Sequence, residues 1–183
     1  MKYKKLQAKE YAREHMHGVW AANLSTFDAS LRFDEQAMRE NLRHWITALG
    51  LGGLFIAGKQ AEYFSMSVAE RKRLMLLSVE EAANAGQRNG AGPCGIITSC
   101  SDTNLDLVLE LARYSQDIGA DYIIVHSPVL HFGADTEETI FEYYRYLSEQ
   151  LEIGMAMWNH PDCGNTMSPD LCARIAELPN VVA

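Results

Sequence analysis

The sequence predicts an α/β fold built on parallel strands, and three observations carry that prediction. Short β-rich runs alternate with longer helical runs from about residue 19 to the end of the chain. The run Tyr122-Ile123-Ile124-Val125 is apolar and rich in β-branched residues, which suits a parallel strand covered on both faces. Helix start and stop signals recur between the β-rich runs. Alternation of this kind fits either a doubly wound open sheet or part of a closed βα barrel, and periodicity does not separate the two.

In chain order, Val19 to Thr26 reads as a first strand of polar character. Asp34 to Leu49 reads as a helix capped by Asp34, with Met38, Leu42, Trp45, Ile46 and Leu49 at helical spacing and Gly50 and Gly52 ending it. Leu54 to Ala57 is a short buried strand. Ser67-Val68-Ala69-Glu70 fits a capping box, opening a helix that runs to about Ala85 and stops at Gly86. Cys94 to Thr98 is the third strand, and Thr103 to Ile118 a helix ended by Gly119. Tyr122 to Val125 is the fourth strand. Asp135-Thr136-Glu137-Glu138 opens a helix that turns Ile140, Phe141, Tyr144, Leu147 and Leu151 inward. Gly154 to Trp158 is the fifth strand. Ser168-Pro169 starts a last helix, because proline at the first helical position loses no hydrogen bond. Val181-Val182-Ala183 then reads as the opening of a sixth strand. The expected division is an N-terminal arm over residues 1–17 and one domain over 18–183.

Composition narrows the function classes. The chain has 183 residues, 48% hydrophobic and 22% charged, with a formal net charge of -8. Nucleic acid is not an expected partner, because phosphate binding needs a basic face. The most apolar stretch, Ile46 to Gly58, is shorter than a bilayer span and is broken by glycines, so no membrane association is expected. The cysteines Cys94, Cys100, Cys163 and Cys172 form no C-x-x-C pair, which points to a reducing, cytoplasmic setting. Neither G-x-G-x-x-G after the first strand nor a Walker A motif occurs, and a G-x-S-x-G elbow is absent.

The motifs choose the architecture. Gly18 to Phe27, ending in Thr26-Phe27, resembles the opening strand of the dihydrodipicolinate synthase / N-acetylneuraminate lyase family, without its Thr-Pro-Phe proline. Gly58-Lys59-Gln60-Ala61-Glu62, followed by Ser65-Met66-Ser67 and Glu70-Arg71, resembles the family's Gly-Thr-Thr-Gly-Glu segment and the helix start after it. Gly119-Ala120-Asp121-Tyr122 with Ser127-Pro128 is similar to its fourth strand, and Trp158-Asn159-His160-Pro161 to its fifth. Pro179-Asn180-Val181-Val182-Ala183 is similar to the lead-in to its sixth. The resemblance implies a TIM (β/α)8 barrel, of which this chain holds about five βα units and the start of strand six.

The same resemblance implies a lyase or aldolase acting on pyruvate or another 2-keto acid through a lysine Schiff base, with no cofactor and no metal, in a homo-oligomer. The family's lysine would fall just past Ala183, so the chain is expected to be inactive alone. The alternative is a pseudoenzyme or interaction module that completes its barrel by association, since open sheet edges invite pairing.

Barrel active sites sit at the carboxyl ends of the strands. The expected site residues are therefore Thr26, beside Ser25, at the end of strand one; Lys59 and Gln60, beside Glu62, at the end of strand two; and Trp158 and Asn159 at the end of strand five. Lys59 and Gln60 stand where the family has two threonines, and they are expected to bind the substrate carboxylate. The plain reading of Thr26 is turn chemistry, and that of Lys59 a solvated loop side chain. Trp158 stands at the position of the family's catalytic tyrosine. An indole N–H only donates, so Trp158 can shape a pocket but cannot relay a proton. Pro128 is followed by Val129 and Leu130 where the family has two tyrosines. His126 and His131 read as hydrogen-bonding or core residues. Cys163 lies near a family arginine that binds substrate, which disfavours true dihydrodipicolinate synthesis. His160, Asp162, Cys163 and His131 have zinc-compatible side chains, but no ligand spacing supports a metal site.

Overall fold

A computed structural model of the chain describes residues 1–86, 93–128, 136–161 and 165–183. Five strands, β1 (Trp20–Ala22), β2 (Gly53–Ile56), β3 (Gly95–Ser99), β4 (Tyr122–His126) and β5 (Gly154–Trp158), form one sheet. The helices are α1 (Ala8–His15), α2 (Glu35–Ala48), α3 (Val68–Ala85), α4 (Leu105–Ile118), α5 (Thr136–Gln150) and α6 (Pro169–Ala176).

Every strand pair is parallel, and the order across the sheet is the order in the chain. A doubly wound sheet reverses its order at a switch point, and this one does not. Past α6, Val181 pairs in parallel with Met155, and the Val182 N–H donates to the Met155 carbonyl at 2.8 Å. The sixth strand thus begins on the far edge of β5.

The two faces of the sheet are covered differently. Strand side chains alternate. Ile123 and Val125 of β4 join an outer core with α2 to α6, in which Leu42, Leu74, Leu111 and Leu147 are fully buried. Each such side chain contributes roughly 1.5–3 kcal/mol by leaving water. Tyr122 and Ile124 face the other way. They meet Phe55, Ile97 and Ala156 in a second cluster flanked by Trp20 and Trp158. Helices on the outside and the sheet's own side chains filling the inside are the arrangement of a βα barrel.

Two devices close the barrel's amino end. Trp20 lies flat over Gly53 and Gly95, where a Cβ would fall 2.4 and 2.3 Å from the indole. The N-terminal arm then packs beneath. Lys2 sits 2.7 Å from Asp121 Oδ1, and the Tyr11 hydroxyl donates to the same oxygen at 2.9 Å. The Tyr3 hydroxyl donates to the Asp121 carbonyl and accepts from the Gly154 N–H. Asp121 Oδ2 in turn accepts the Ile96 N–H at 2.8 Å.

The capping signals correspond to structure. Ser67 and Glu70 form the capping box of α3, Gly86 ends that helix, and the Ser168 hydroxyl accepts from the Leu171 N–H ahead of α6. Four expectations are corrected. β1 is three residues long, because from Thr26 the chain turns back and Phe27 pairs antiparallel with Phe33. β2 ends at Ile56, because Ala57 takes a left-handed backbone at φ 56°. Leu49 is 55% exposed just past α2 rather than on its buried face. α4 starts at Leu105, because the Asn104 side chain caps it by accepting from the Asp106 N–H. The expected cap Asp135 lies outside the described residues.

Candidate functional site

The carboxyl ends of β2, β4 and β5 converge on a cluster of rings. His126 and Trp158 are register partners on adjacent strands, and their ring centroids are 5.7 Å apart. Phe55, also pointing inward, lies 5.5 Å from Trp158, and His160 lies 6.0 Å from it. Tyr63 meets the imidazole of His126 edge-on at 6.1 Å.

The approach from β2 is set by its backbone. The left-handed Ala57 donates its N–H to Asn23 Oδ1 at 3.0 Å, which ties the ends of β1 and β2 together. Gly58 then caps a single 3-10 turn, Lys59–Ala61, and Glu62 in a left-handed conformation leads into a second, Tyr63–Ser65. Lys59 and Gln60 open that first turn, where the leading N–H groups of a helix point along its axis. Both side chains are exposed.

Behind Tyr63 sits a buried guanidinium. Arg71, 2% exposed, lies 4.9 Å from the Tyr63 ring centre, donates to Asp102 Oδ2 at 3.0 Å, and donates to the Ser101 carbonyl at 2.8 Å. The Ser101 hydroxyl accepts the His126 N–H at 3.0 Å. This chain of contacts fixes Tyr63 and the backbone of His126 with respect to each other.

The imidazole of His126 is held neutral. Burial, and then the neighbouring His160 and Lys59, push its pKa down from the usual 6.5 to about 4. Its Nε2 is buried and has no hydrogen-bond partner among the described residues. A neutral imidazole can both donate and accept a hydrogen bond, which the indole of Trp158 beside it cannot.

The expected site residues are distributed as follows. Trp158 is half-buried within the ring cluster, and Lys59 bears electrostatically on His126. Thr26 donates its hydroxyl to the Asp34 carbonyl at 2.8 Å, and Ser25 donates to the Ala61 carbonyl at 2.7 Å. Asn159 clasps the loop ahead of α6, donating to the Met167 carbonyl and accepting its N–H. Val129, Leu130, His131, Asp162 and Cys163 lie outside the described residues. Among the described residues no three His, Cys, Asp or Glu side chains gather as metal ligands, and no helix is long and apolar enough to cross a membrane.

Reading from sequence assigned Tyr63 no role, placed Arg71 only within a helix-start motif, and left the inward orientation of His126 unread. A signal for His126 was present, since Tyr122, Ile124 and His126 share one face of β4 by the two-residue period of a strand.

Comparison with known proteins agrees with the geometry. The chain is 29% identical over 167 residues to an uncharacterized DapA-like lyase of Thermococcus kodakarensis, covering 91% of this chain and 53% of that protein. It is 27% identical over 168 residues to N-acetylneuraminate lyase of Clostridium perfringens, covering 91% and 55%. Among solved structures, the crystal structure of CdNal from Clostridium difficile in complex with mannosamine superposes with a TM-score of 0.79 at 26% identity, over 91% of this chain and 54% of that one. The chain therefore spans about half the length of these relatives. Residues 15–183 match the Dihydrodipicolinate synthetase family, and the chain belongs to that family of βα-barrel lyases.

Proposed function

We propose that the chain supplies the first five βα units of a lyase that makes or breaks a carbon–carbon bond next to a 2-keto acid such as pyruvate. The observation supporting this reading most is the family match over residues 15–183, joined to a parallel sheet whose sequential order brings Lys59, His126 and Trp158 to one mouth.

In this reading Lys59 and the N–H groups of its turn take the substrate carboxylate, with Gln60 beside them. Trp158 forms one wall of the pocket. Thr26 and Asn159 act by holding the loops at the ends of β1 and β5. Val181, Val182 and Ala183, where the sixth strand opens, include no lysine, and the family resemblance puts the nucleophile on a lysine of that strand. Its neutral amine would attack the keto carbon, and the protonated imine would then draw electrons away from the bond being broken. No cofactor is needed for that chemistry. We place the protein in the cytoplasm as a homo-oligomer.

Borohydride trapping tests the nucleophile. Incubation of the 183-residue chain with pyruvate and borohydride should leave its mass unchanged by mass spectrometry. A chain continued through strand six with its lysine should gain the mass of a reduced pyruvate adduct. An adduct on the 183-residue chain that peptide mapping places on Lys59 would overturn the strand-six assignment.

A second reading is a non-catalytic module that completes its barrel with another chain. The observation favouring it is the pair of outer strands, β1 and the strand begun at Val181, which have no further neighbour among the described residues.

A further inference from the structure

We propose that His126 is the acid–base residue of this site, and that through it the 183-residue chain exchanges the C3 protons of a bound 2-keto acid without any lysine Schiff base. This deepens the 2-keto-acid reading above and rests on it.

The geometry carries the assignment. His126 is the last residue of β4 and shares the inward face with Tyr122 and Ile124. Its ring is enclosed by Trp158 from β5 and by Tyr63 from the turn after β2. The titratable groups that bear on it, His160 after β5 and Lys59 after β2, come from two other strand ends. Of the two rings paired across β4 and β5, the indole of Trp158 cannot accept a proton and the imidazole can.

The buried Nε2, which has no partner among the described residues, points the same way. A buried polar atom lowers stability unless it is hydrogen-bonded, and packing alone would favour an apolar ring at this position. Positioning is also built in, through the His126 N–H bond to the Ser101 hydroxyl and the Arg71 bond to the Ser101 carbonyl.

The step balances as follows. An imidazole nitrogen takes a proton from C3 of the keto acid. The C–H electron pair becomes the C2–C3 double bond, and the carbonyl pair moves onto the keto oxygen. The ammonium of Lys59 faces the negative charge of the bound enolate. The imidazolium N–H exchanges its proton with solvent, taking a deuteron in D2O, and returns that deuteron to C3, so the keto acid is regenerated with solvent hydrogen at C3. No oxidant, reductant or second substrate is consumed. The bound carboxylate also offsets the charge of Lys59 that otherwise disfavours the imidazolium, so the base strengthens when substrate is present.

The test is NMR of pyruvate in D2O with the purified 183-residue chain. The methyl signal should disappear faster than in buffer alone, with saturation in pyruvate. His126→Gln and His126→Phe should each lower the exchange rate by about 10²-fold, the scale of a lost general base. The Phe variant also removes the buried nitrogen, so it should unfold at the same temperature as the parent or higher. Pyruvate that shifts the Trp158 indole signal but exchanges no faster than in buffer, or equally fast in both variants, would overturn the role of His126 and leave the 2-keto-acid reading standing. Absence of any pyruvate-dependent shift would overturn both.

Discussion

Asp121→Ala is expected to lower stability by about 3 kcal/mol, because it strands a buried N–H and releases the N-terminal arm together. Asp121 is 4% exposed and is the meeting point of Lys2, Tyr11 and the Ile96 N–H. Lys2 is 46% exposed at its side chain and regains water when the carboxylate is lost, so the ion pair itself contributes modestly. The larger loss is the Ile96 N–H, at the start of a central strand, together with the hydroxyl of Tyr11. For a chain of this length the melting temperature should fall by on the order of 10 °C. Asp121→Asn keeps an acceptor for Ile96 and should lose about half as much. Trypsin should cut the arm at Lys5, Lys9 and Arg13 faster in Asp121→Ala than in the parent. Unchanged melting and unchanged cleavage would mean that the arm is not latched through this carboxylate.

Gly95→Ala is the second large effect, and it works by overpacking. The backbone of Gly95 is ordinary strand, so the cost is not one of glycine-only torsions. A Cβ there would sit 2.3 Å from Trp20 Cη2 and 2.7 Å from Cζ2, inside any real contact distance. The indole cannot simply slide toward β2, because Gly53 is cleared for it in the same way. The expected destabilisation is about 2–3 kcal/mol, read from denaturant unfolding. Trp20→Leu costs stability on its own, but in that background Gly95→Ala should become nearly neutral. A coupling energy of at least about 1 kcal/mol would establish the contact. Additive effects would remove Trp20 from the barrel floor.

These two predictions concern parts of the fold that were hard to read in advance, and the reason is physical. Signals confined to one turn of chain were legible. Ser67 with Glu70, Gly86, Gly119 and Ser168-Pro169 each act on backbone groups within four residues, so the sequence alone located the ends they cap. Features that depend on partners far along the chain were not. α1 carries its apolar face on Ala8 and Ala12, too small to stand out among the lysines and glutamates around them. Its attachment point lies more than a hundred residues away at Asp121. The early end of β1 has the same origin, since Thr26 and Phe27 leave the sheet to meet Asp34 and Phe33.

The site divides along the same line. Trp158 and Lys59 were expected at the site because a barrel's chemistry gathers at strand ends, a rule that needs only the strand map. His126 satisfies that rule equally well, and its significance came only from its neighbours: Trp158 in register, Tyr63 edge-on and Lys59 bearing on its charge. Thr26 and Asn159 show the converse. Both stand at strand ends, and both side chains are engaged with backbone groups of neighbouring loops.

We propose that the carboxyl ends of β2, β4 and β5 form one receptor for a 2-keto acid. Titration of the isotope-labelled chain with pyruvate, followed by two-dimensional NMR, addresses it most directly. The amide of Lys59, the ring of His126 and the indole of Trp158 should shift along a single saturation curve, while the indole of Trp20 at the opposite end stays still. Shifts confined to Trp20 and the arm, or none at those three residues up to saturating pyruvate, would contradict the account.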